Sequence, residues 1–265
     1  VPADYQEILD TAIQAAAEAG DYLKSTFGQR PDVEFKGRID LVTERDRQSQ
    51  DKIYRLLKTR FPGHSILAEE ELDEKKDKES LWLIDPLDGT TNYAHTLPAF
   101  CVSIAFFEQG QPRVGVVYAP VFGEMFQAVR GGGAFLNGKR IAVSTEKELG
   151  KSLLATGFPY DLCESEIDNI DHFTRLLKKA QAIRRWGSAA LDLCYTAAGR
   201  FDGFWELKLF PWDTAAGMLM VEEAGGTVSD FSGRPFQPFL REIVASNGPI
   251  HRQILSVLQS ARPQS

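Results

Sequence analysis

Four apolar residues, Leu81-Trp82-Leu83-Ile84, lead directly into Asp85-Pro86-Leu87-Asp88-Gly89-Thr90-Thr91-Asn92. Such a run reads as a buried strand that ends abruptly in acids, and ligands in α/β proteins gather at the carboxyl ends of strands. Asp85 and Asp88 share one tight turn, close enough for their carboxylates to hold one cation. If a helical turn opens after Asp88, the N–H groups of Gly89 and Thr90 point outward, an arrangement that binds phosphate. Asp-Pro and Asp-Gly pairs are also ordinary turn formers, so the segment by itself is structural more often than not.

Three further acidic features change that balance. Ile66-Leu67-Ala68-Glu69-Glu70-Glu71 is a second short apolar strand ending in acids, which alone reads as a solvated edge. Pro211-Trp212-Asp213-Thr214-Ala215-Ala216-Gly217 sets an acid where an Ala-rich helix starts, a place that is an N-cap more often than a ligand. Asp46 stands three residues after Thr43, the spacing of a capping box with Asp in place of Glu. Carboxylates gathered at one strand end repel one another strongly unless a cation neutralises them. Oxygen ligands select hard ions, which points to Mg2+, with Mn2+ as a substitute. His64, His95, His172 and His251 show no HxxxH spacing, and Cys101, Cys163 and Cys194 form no CxxC pair. Zinc and a disulfide framework are therefore not expected.

These acids need rigid elements to hold them. Helices are expected over Asp4–Ser25, Thr43–Arg60, Asp168–Lys179, Ala189–Ala198, Asp213–Ala224 and His251–Leu258, from apolar residues at helical spacing and from capping residues. Strands are expected over Ser65–Ala68, Leu81–Ile84, Phe100–Phe107, Arg113–Tyr118, Met125–Val129, Ser152–Thr156, Ala182–Trp186, Asp202–Trp205 and Glu242–Ser246. The highly charged stretch Glu70–Ser80 reads as a surface loop between two strands. This mixture indicates α+β or layered α/β architecture, with a change of character near residue 145. Two tightly packed halves are expected, 1–145 and 146–265.

At 265 residues and 43% hydrophobic content, the chain can bury a full core. A net charge of −7 with scattered Lys and Arg argues against a nucleic-acid partner. No uncharged apolar run approaches the roughly 20 residues that span a bilayer. Three unpaired cysteines fit a reducing compartment, so a cytoplasmic location is expected, without a membrane partner; the Ala-rich opening shows no basic start followed by an apolar stretch and cleavage site, and a leader already removed stays open.

The chain resembles the inositol monophosphatase family, within the superfamily that includes fructose-1,6-bisphosphatases. The resemblance rests on Asp40-Leu41-Val42-Thr43-Glu44-Arg45-Asp46, on Ala68-Glu69-Glu70, on Trp82 to Asn92, and on Trp212 to Gly217 followed by Glu223-Ala224-Gly225-Gly226. It covers nearly the whole chain. It implies a layered α-β-α-β-α sandwich of the sugar phosphatase type, within the α+β class, in which the first half carries most metal ligands and the second half closes the site. It implies that Glu69, Asp85 and the Leu87 carbonyl bind one magnesium, and that Asp85, Asp88 and Asp213 bind a second. Thr90, with Asp46 behind it, matches the pair that orients and helps deprotonate the attacking water. The N–H groups of Gly89 and Thr90 are implied to hold the phosphate. Asp88, Gly187, Ser188, Ala189 and Glu206 match substrate-binding positions, and Lys36 matches a lysine near the metals that is not ranked as catalytic. A homodimer and inhibition by lithium are also implied.

The leading expectation is hydrolysis of inositol monophosphate, a small phosphorylated polyol. A broader sugar phosphatase that also takes fructose 1,6-bisphosphate stays open, as does a relative acting on histidinol phosphate or a phosphorylated nucleotide. Lys208-Leu209-Phe210-Pro211 is less polar than in animal relatives, which weighs against strict inositol specificity. A regulatory binding module is the reading from a different class, because some bacterial relatives contact the transcription machinery. A site, not a fold, must decide between them.

Overall fold

The structure is a computed structural model and describes residues 5–29, 33–35, 41–70 and 79–260. Helix α1 (Gln6–Thr26) precedes the antiparallel pair β1 (Val33–Phe35) and β2 (Leu41–Thr43), which leads into α2 (Glu44–Arg60). A seven-stranded sheet follows: β3 (Ser65–Ala68), β4 (Ser80–Asp88), then, after the short helix α3 (Thr90–Ala94), β5 (Cys101–Glu108), β6 (Gln111–Ala119), β7 (Glu124–Val129), β8 (Gly133–Leu136) and β9 (Lys139–Arg140). These strands lie side by side in chain order. Only β3 and β4 run parallel; every later neighbour is antiparallel.

The remainder builds a mixed five-stranded sheet. Its strands are β10 (Leu153–Thr156), β11 (Ala182–Arg184), β12 (Gly203–Leu207), β13 (Thr227–Ser229) and β14 (Glu242–Ser246), in the order β11-β10-β12-β14-β13. The three strands β11, β10 and β12 are parallel, while β14 runs antiparallel to both β12 and β13. Helices α4 (Ile170–Leu177), α5 (Ala189–Ala197), α6 (Pro211–Glu223) and α7 (His251–Ser260) complete the chain.

Three apolar clusters define the layers. Ile8, Leu9, Ala12, Ala16 and Leu23 of α1, with Ile53 and Leu57 of α2, pack on Trp82, Ile84, Ile104 and Val116 of the large sheet. Leu191, Leu193, Ala215, Ala216 and Leu219 of α5 and α6 fill the space between the two sheets, against Leu83, Ala105, Val117, Ala155, Phe204 and Ile243. Leu176 of α4 and Ile254, Val257 and Leu258 of α7 cover the outer face of the small sheet, at Leu154, Trp205 and Val244. The order is helix, sheet, helix, sheet, helix, the α-β-α-β-α sandwich expected for an α+β sugar phosphatase fold. Helices α5 and α6 have little amphipathic pattern because both of their faces are buried, which suits their Ala-rich sequences.

Several boundaries differ from the sequence reading for identifiable reasons. Strand β4 does not stop at Ile84: its pairing with β5 runs on to Asp88, with a bulge between Asp85 and Asp88. A bulge kinks the strand locally and re-aims side chains, so both acids reach the same side of the turn. Helix α6 begins at Pro211, a residue whose fixed φ suits a first turn, so Asp213 is a third-position acid and not the cap. Helix α4 is shorter than Asp168–Lys179, and strand β11 ends at Arg184 instead of Trp186. Strands β1, β2, β8, β9 and β13 were not expected: Gly133 and the Lys139-Arg140 pair give β8 and β9 weak strand character, and β1, β2 and β13 are three residues each, too short to show a pattern. Asp4, Lys36, Asp40 and residues 71–78 of the charged loop lie outside the described residues.

Candidate active site

The expected acids meet in one cleft where the turn after β4 faces the N-terminal ends of α5 and α6. Glu69, Asp85, Leu87, Asp88, Gly89 and Thr90 of the first half line it together with Gly157, Phe158, Arg185, Asp192, Glu206 and Asp213 of the second. Gly187, Ser188 and Ala189 form the bridge between them.

Local contacts explain why the turn takes this shape. The Leu87 N–H donates to Asp85 Oδ1 at 3.0 Å, closing the turn onto its own acid. The Ser49 hydroxyl of α2 donates to the Pro86 carbonyl at 2.7 Å, fixing the turn to the helix layer. Gly89 adopts φ +96° as it starts α3, and a Cβ there would lie 2.8 Å from the Ala99 carbonyl oxygen. Only glycine satisfies both conditions.

Asp88 is held from across the cleft. Its Oδ2 accepts hydrogen bonds at 2.7 Å from the Ser188 hydroxyl and from the Ala190 N–H, at the N-terminus of α5. These donors and the helix dipole favour the anion, yet burial still raises the pKa of Asp88 to about 6. Asn92 adds a second clasp, its Nδ2 donating to the Ala99 carbonyl at 2.7 Å and to the Trp186 carbonyl at 2.9 Å. Asp213 accepts from the Phe210 N–H at 2.7 Å. The start of α6 is tied to the large sheet by the Ser103 hydroxyl, which donates to the Trp212 carbonyl at 3.3 Å.

The electrostatics follow from crowding. Asp85 is 2% exposed, and its pKa rises well above the usual carboxylate range through burial and then repulsion from Glu69, Asp88 and Asp213. Asp213 is raised for the same reasons, burial first and Asp88 next. Among the described residues, no three His, Cys, Asp or Glu side chains are grouped so that they could hold a metal ion as they stand; Asp85, Asp88 and Asp213 each rest on donors of their own. The donor set is all oxygen and strongly anionic, so it fits a hard divalent cation and would be relieved by one.

Asp46 and Thr90 do come together. Asp46 is fully buried and accepts from the Thr43 N–H at 2.8 Å, from the Thr43 hydroxyl at 2.6 Å and from the Thr90 hydroxyl at 3.0 Å. The capping box and the contact with Thr90 coexist in one carboxylate. Burial lifts its pKa to about 6 despite these donors. The Thr90 hydroxyl also lies 3.0 Å from the Leu87 carbonyl and, with one proton to give, can satisfy only one of these acceptors at a time.

Glu206 faces the same cleft from the end of β12. It is 8% exposed, with a pKa pushed up to about 8 by burial and by Asp88. Gly157 makes room for it, since a Cβ there would stand 2.2 Å from Glu206 Oε1. Arg185 and Asp192 did not stand out in the sequence. A signal existed for Asp192, a lone acid in the otherwise uncharged helix Ala189–Ala197. Arg185, in a run of two arginines, gave none.

Residues 4–263 match the inositol monophosphatase family. The chain is 46% identical to an inositol-1-monophosphatase of Synechocystis sp., over 99% of this chain and 92% of that one. It is 43% identical to the Nus factor SuhB of Escherichia coli, over 94% of each. Among solved structures, the inositol monophosphatase from Anabaena (Nostoc) sp. superposes with a TM-score of 0.90 at 43% identity, covering 98% of both chains.

Proposed function

The chain belongs to the inositol monophosphatase family and is a phosphatase of that type, and we propose that it hydrolyses inositol monophosphate with the help of magnesium. The observation that carries this reading is that Glu69, Asp85, Asp88 and Asp213 line one cleft beside the buried Asp46–Thr90 pair. Glu69, Asp85, the Leu87 carbonyl, Asp88 and Asp213 would hold Mg2+, with Mn2+ as a substitute. When bound, the metal lowers the pKa of water and neutralises charge on the reacting phosphoryl oxygens.

The chain's own groups account for the rest. With the Leu87 carbonyl engaged, the Thr90 hydroxyl gives its proton to Asp46 and turns a lone pair toward the attacking water. Asp46 is then the final acceptor of the proton that water loses, a role suited to a pKa of about 6. The N–H groups of Gly89 and Thr90 hold the phosphate, while the Gly187-Ser188-Ala189 bridge and Glu206 position the polyol. Asp88, held by Ser188 and Ala190, couples the two sides, so residues 1–145 and 146–265 act as one functional unit. A homodimer, inhibition by lithium and a cytoplasmic location accompany this reading by family likeness; among the described residues no helix is long and apolar enough to cross a membrane.

Phosphate release from inositol 1-phosphate, fructose 1,6-bisphosphate, histidinol phosphate and a 3′-phosphonucleotide, each with magnesium, tests the substrate. Preference for inositol 1-phosphate is expected; equal or faster release from the bisphosphate would make this a general sugar phosphatase. The similarity to a protein named a Nus factor favours one second reading, a binding role separable from catalysis. Partner binding that persists in Asp88→Asn and after chelation would support it.

A further inference from the structure

One acid of the cleft has been left incomplete by the fold. Asp192 is 1% exposed, faces the cleft from α5, and its Oδ1 has no hydrogen-bond partner. Asp46, Asp85, Asp88 and Asp213 all receive donors from the chain. A buried acceptor without a donor is a standing cost to the folded state, and a site that retains one in a ligand cleft has a use for it once the ligand brings the donor. Burial and then repulsion from Glu206 push the Asp192 pKa well up, while Arg185 at the exposed rim draws it back. The same guanidinium attracts Glu206.

Two neighbouring acceptors and one cation have a specific chemical complement. A hydroxyl both donates a proton and accepts through its lone pairs, so adjacent hydroxyls could donate to Asp192 and Glu206 and accept from Arg185. An aryl or alkyl group would bury Asp192 with its acceptor still unmet. We propose that Asp192 is a second specificity-determining acceptor beside Glu206, and that the pair reads adjacent hydroxyls of a phosphorylated polyol. This assignment rests on the phosphatase reading above.

The test compares the wild-type protein with Asp192→Leu, which keeps much of the volume and removes the acceptor, and with the milder Asp192→Asn. Activity with magnesium is measured on inositol 1-phosphate and on p-nitrophenyl phosphate, and the melting temperature is measured without ligand. The ratio of kcat/KM for the polyol over the aryl substrate should fall at least about tenfold in Asp192→Leu, chiefly through KM, and less in Asp192→Asn. The melting temperature of Asp192→Asn should hold or rise, because an unpaired buried acid is being removed. An unchanged ratio overturns the assignment, and so does a lower melting temperature of Asp192→Asn, which would make the acid structural. Wild-type protein that cleaves the aryl phosphate without favouring the polyol removes this inference and leaves the phosphatase reading standing. Wild-type protein that cleaves neither removes both.

Discussion

The two walls of the cleft treat their acids differently. On the wall built from β4 and α2, carboxylates arrive already bonded: Asp85 to the Leu87 N–H, Asp46 to Thr43 and Thr90, and Asp88 to donors reaching across from α5. On the wall built from β12 and the buried face of α5, Asp192 lacks a donor at Oδ1 and Glu206 is held near pKa 8. Both walls are buried, so burial alone does not distinguish them. The first is organised before any substrate arrives, as charge stabilisation during phosphoryl transfer requires. The second leaves its hydrogen bonds to be completed by the substrate, which is where selectivity between substrates arises.

The hardest blow to this contrast falls on Asp88, which belongs to the first wall yet is anchored by the second. Asp88→Asn removes one charge from the acid cluster and weakens the bonds from Ser188 and Ala190, and under the proposed metal-binding role should lower kcat by about 100-fold or more while the circular dichroism spectrum is retained. Near-normal turnover would mean that the acid cluster is not the catalytic centre. Asp46→Asn should cost a comparable factor and do something more specific. In the proposed role of base, with a pKa of about 6, Asp46 acts only when deprotonated, so wild-type kcat should fall as pH drops through about 6. That limb should vanish in Asp46→Asn; if it survives, another group is the base.

Smaller effects sharpen the second wall. Glu206 has a folded pKa of about 8, above its ordinary 4.5. An acid raised in this way binds more protons folded than unfolded, so its contribution to stability falls as pH rises from about 4.5 to about 8. Glu206→Gln should therefore raise the melting temperature of metal-free protein more at pH 9 than at pH 5, measured by calorimetry. The reverse order would show that Glu206 is stabilised as an anion. The least effect is expected at the rim, where Lys208 Nζ lies 2.6 Å from Asp161 and 2.8 Å from the Ser165 hydroxyl, holding the segment that carries Phe158 and Tyr160. Lys208→Met should raise KM about threefold with little change in kcat.

The acids of the first wall were legible because each sits at the end of an apolar run or at a helix start, where sequence pattern and chemistry coincide. Asp85 and Asp88 stood out for that reason, and the layered fold followed from the family resemblance carried by the same segments. The β4 bulge was not legible, since the run of Leu81 to Ile84 gives no sign that pairing continues to Asp88. Nor was the way Asp88 binds across to Ala190, 102 residues away, because no local spacing encodes it. Gly157 carries no signal in the sequence, because the Glu206 carboxylate that occupies its Cβ space comes from a distant strand. Asp192 was the recoverable miss: a single acid in a helix buried on every side is out of keeping with its neighbours, and such a residue needs either a partner or a ligand.

On the proposed function, this acid cleft performs phosphoester hydrolysis only with a divalent cation. The direct measurement is phosphate release from inositol 1-phosphate by chelated protein as magnesium is returned. No release before addition and saturable recovery after it, absent in Asp88→Asn, is the predicted result. Release that chelation leaves undiminished would contradict metal dependence.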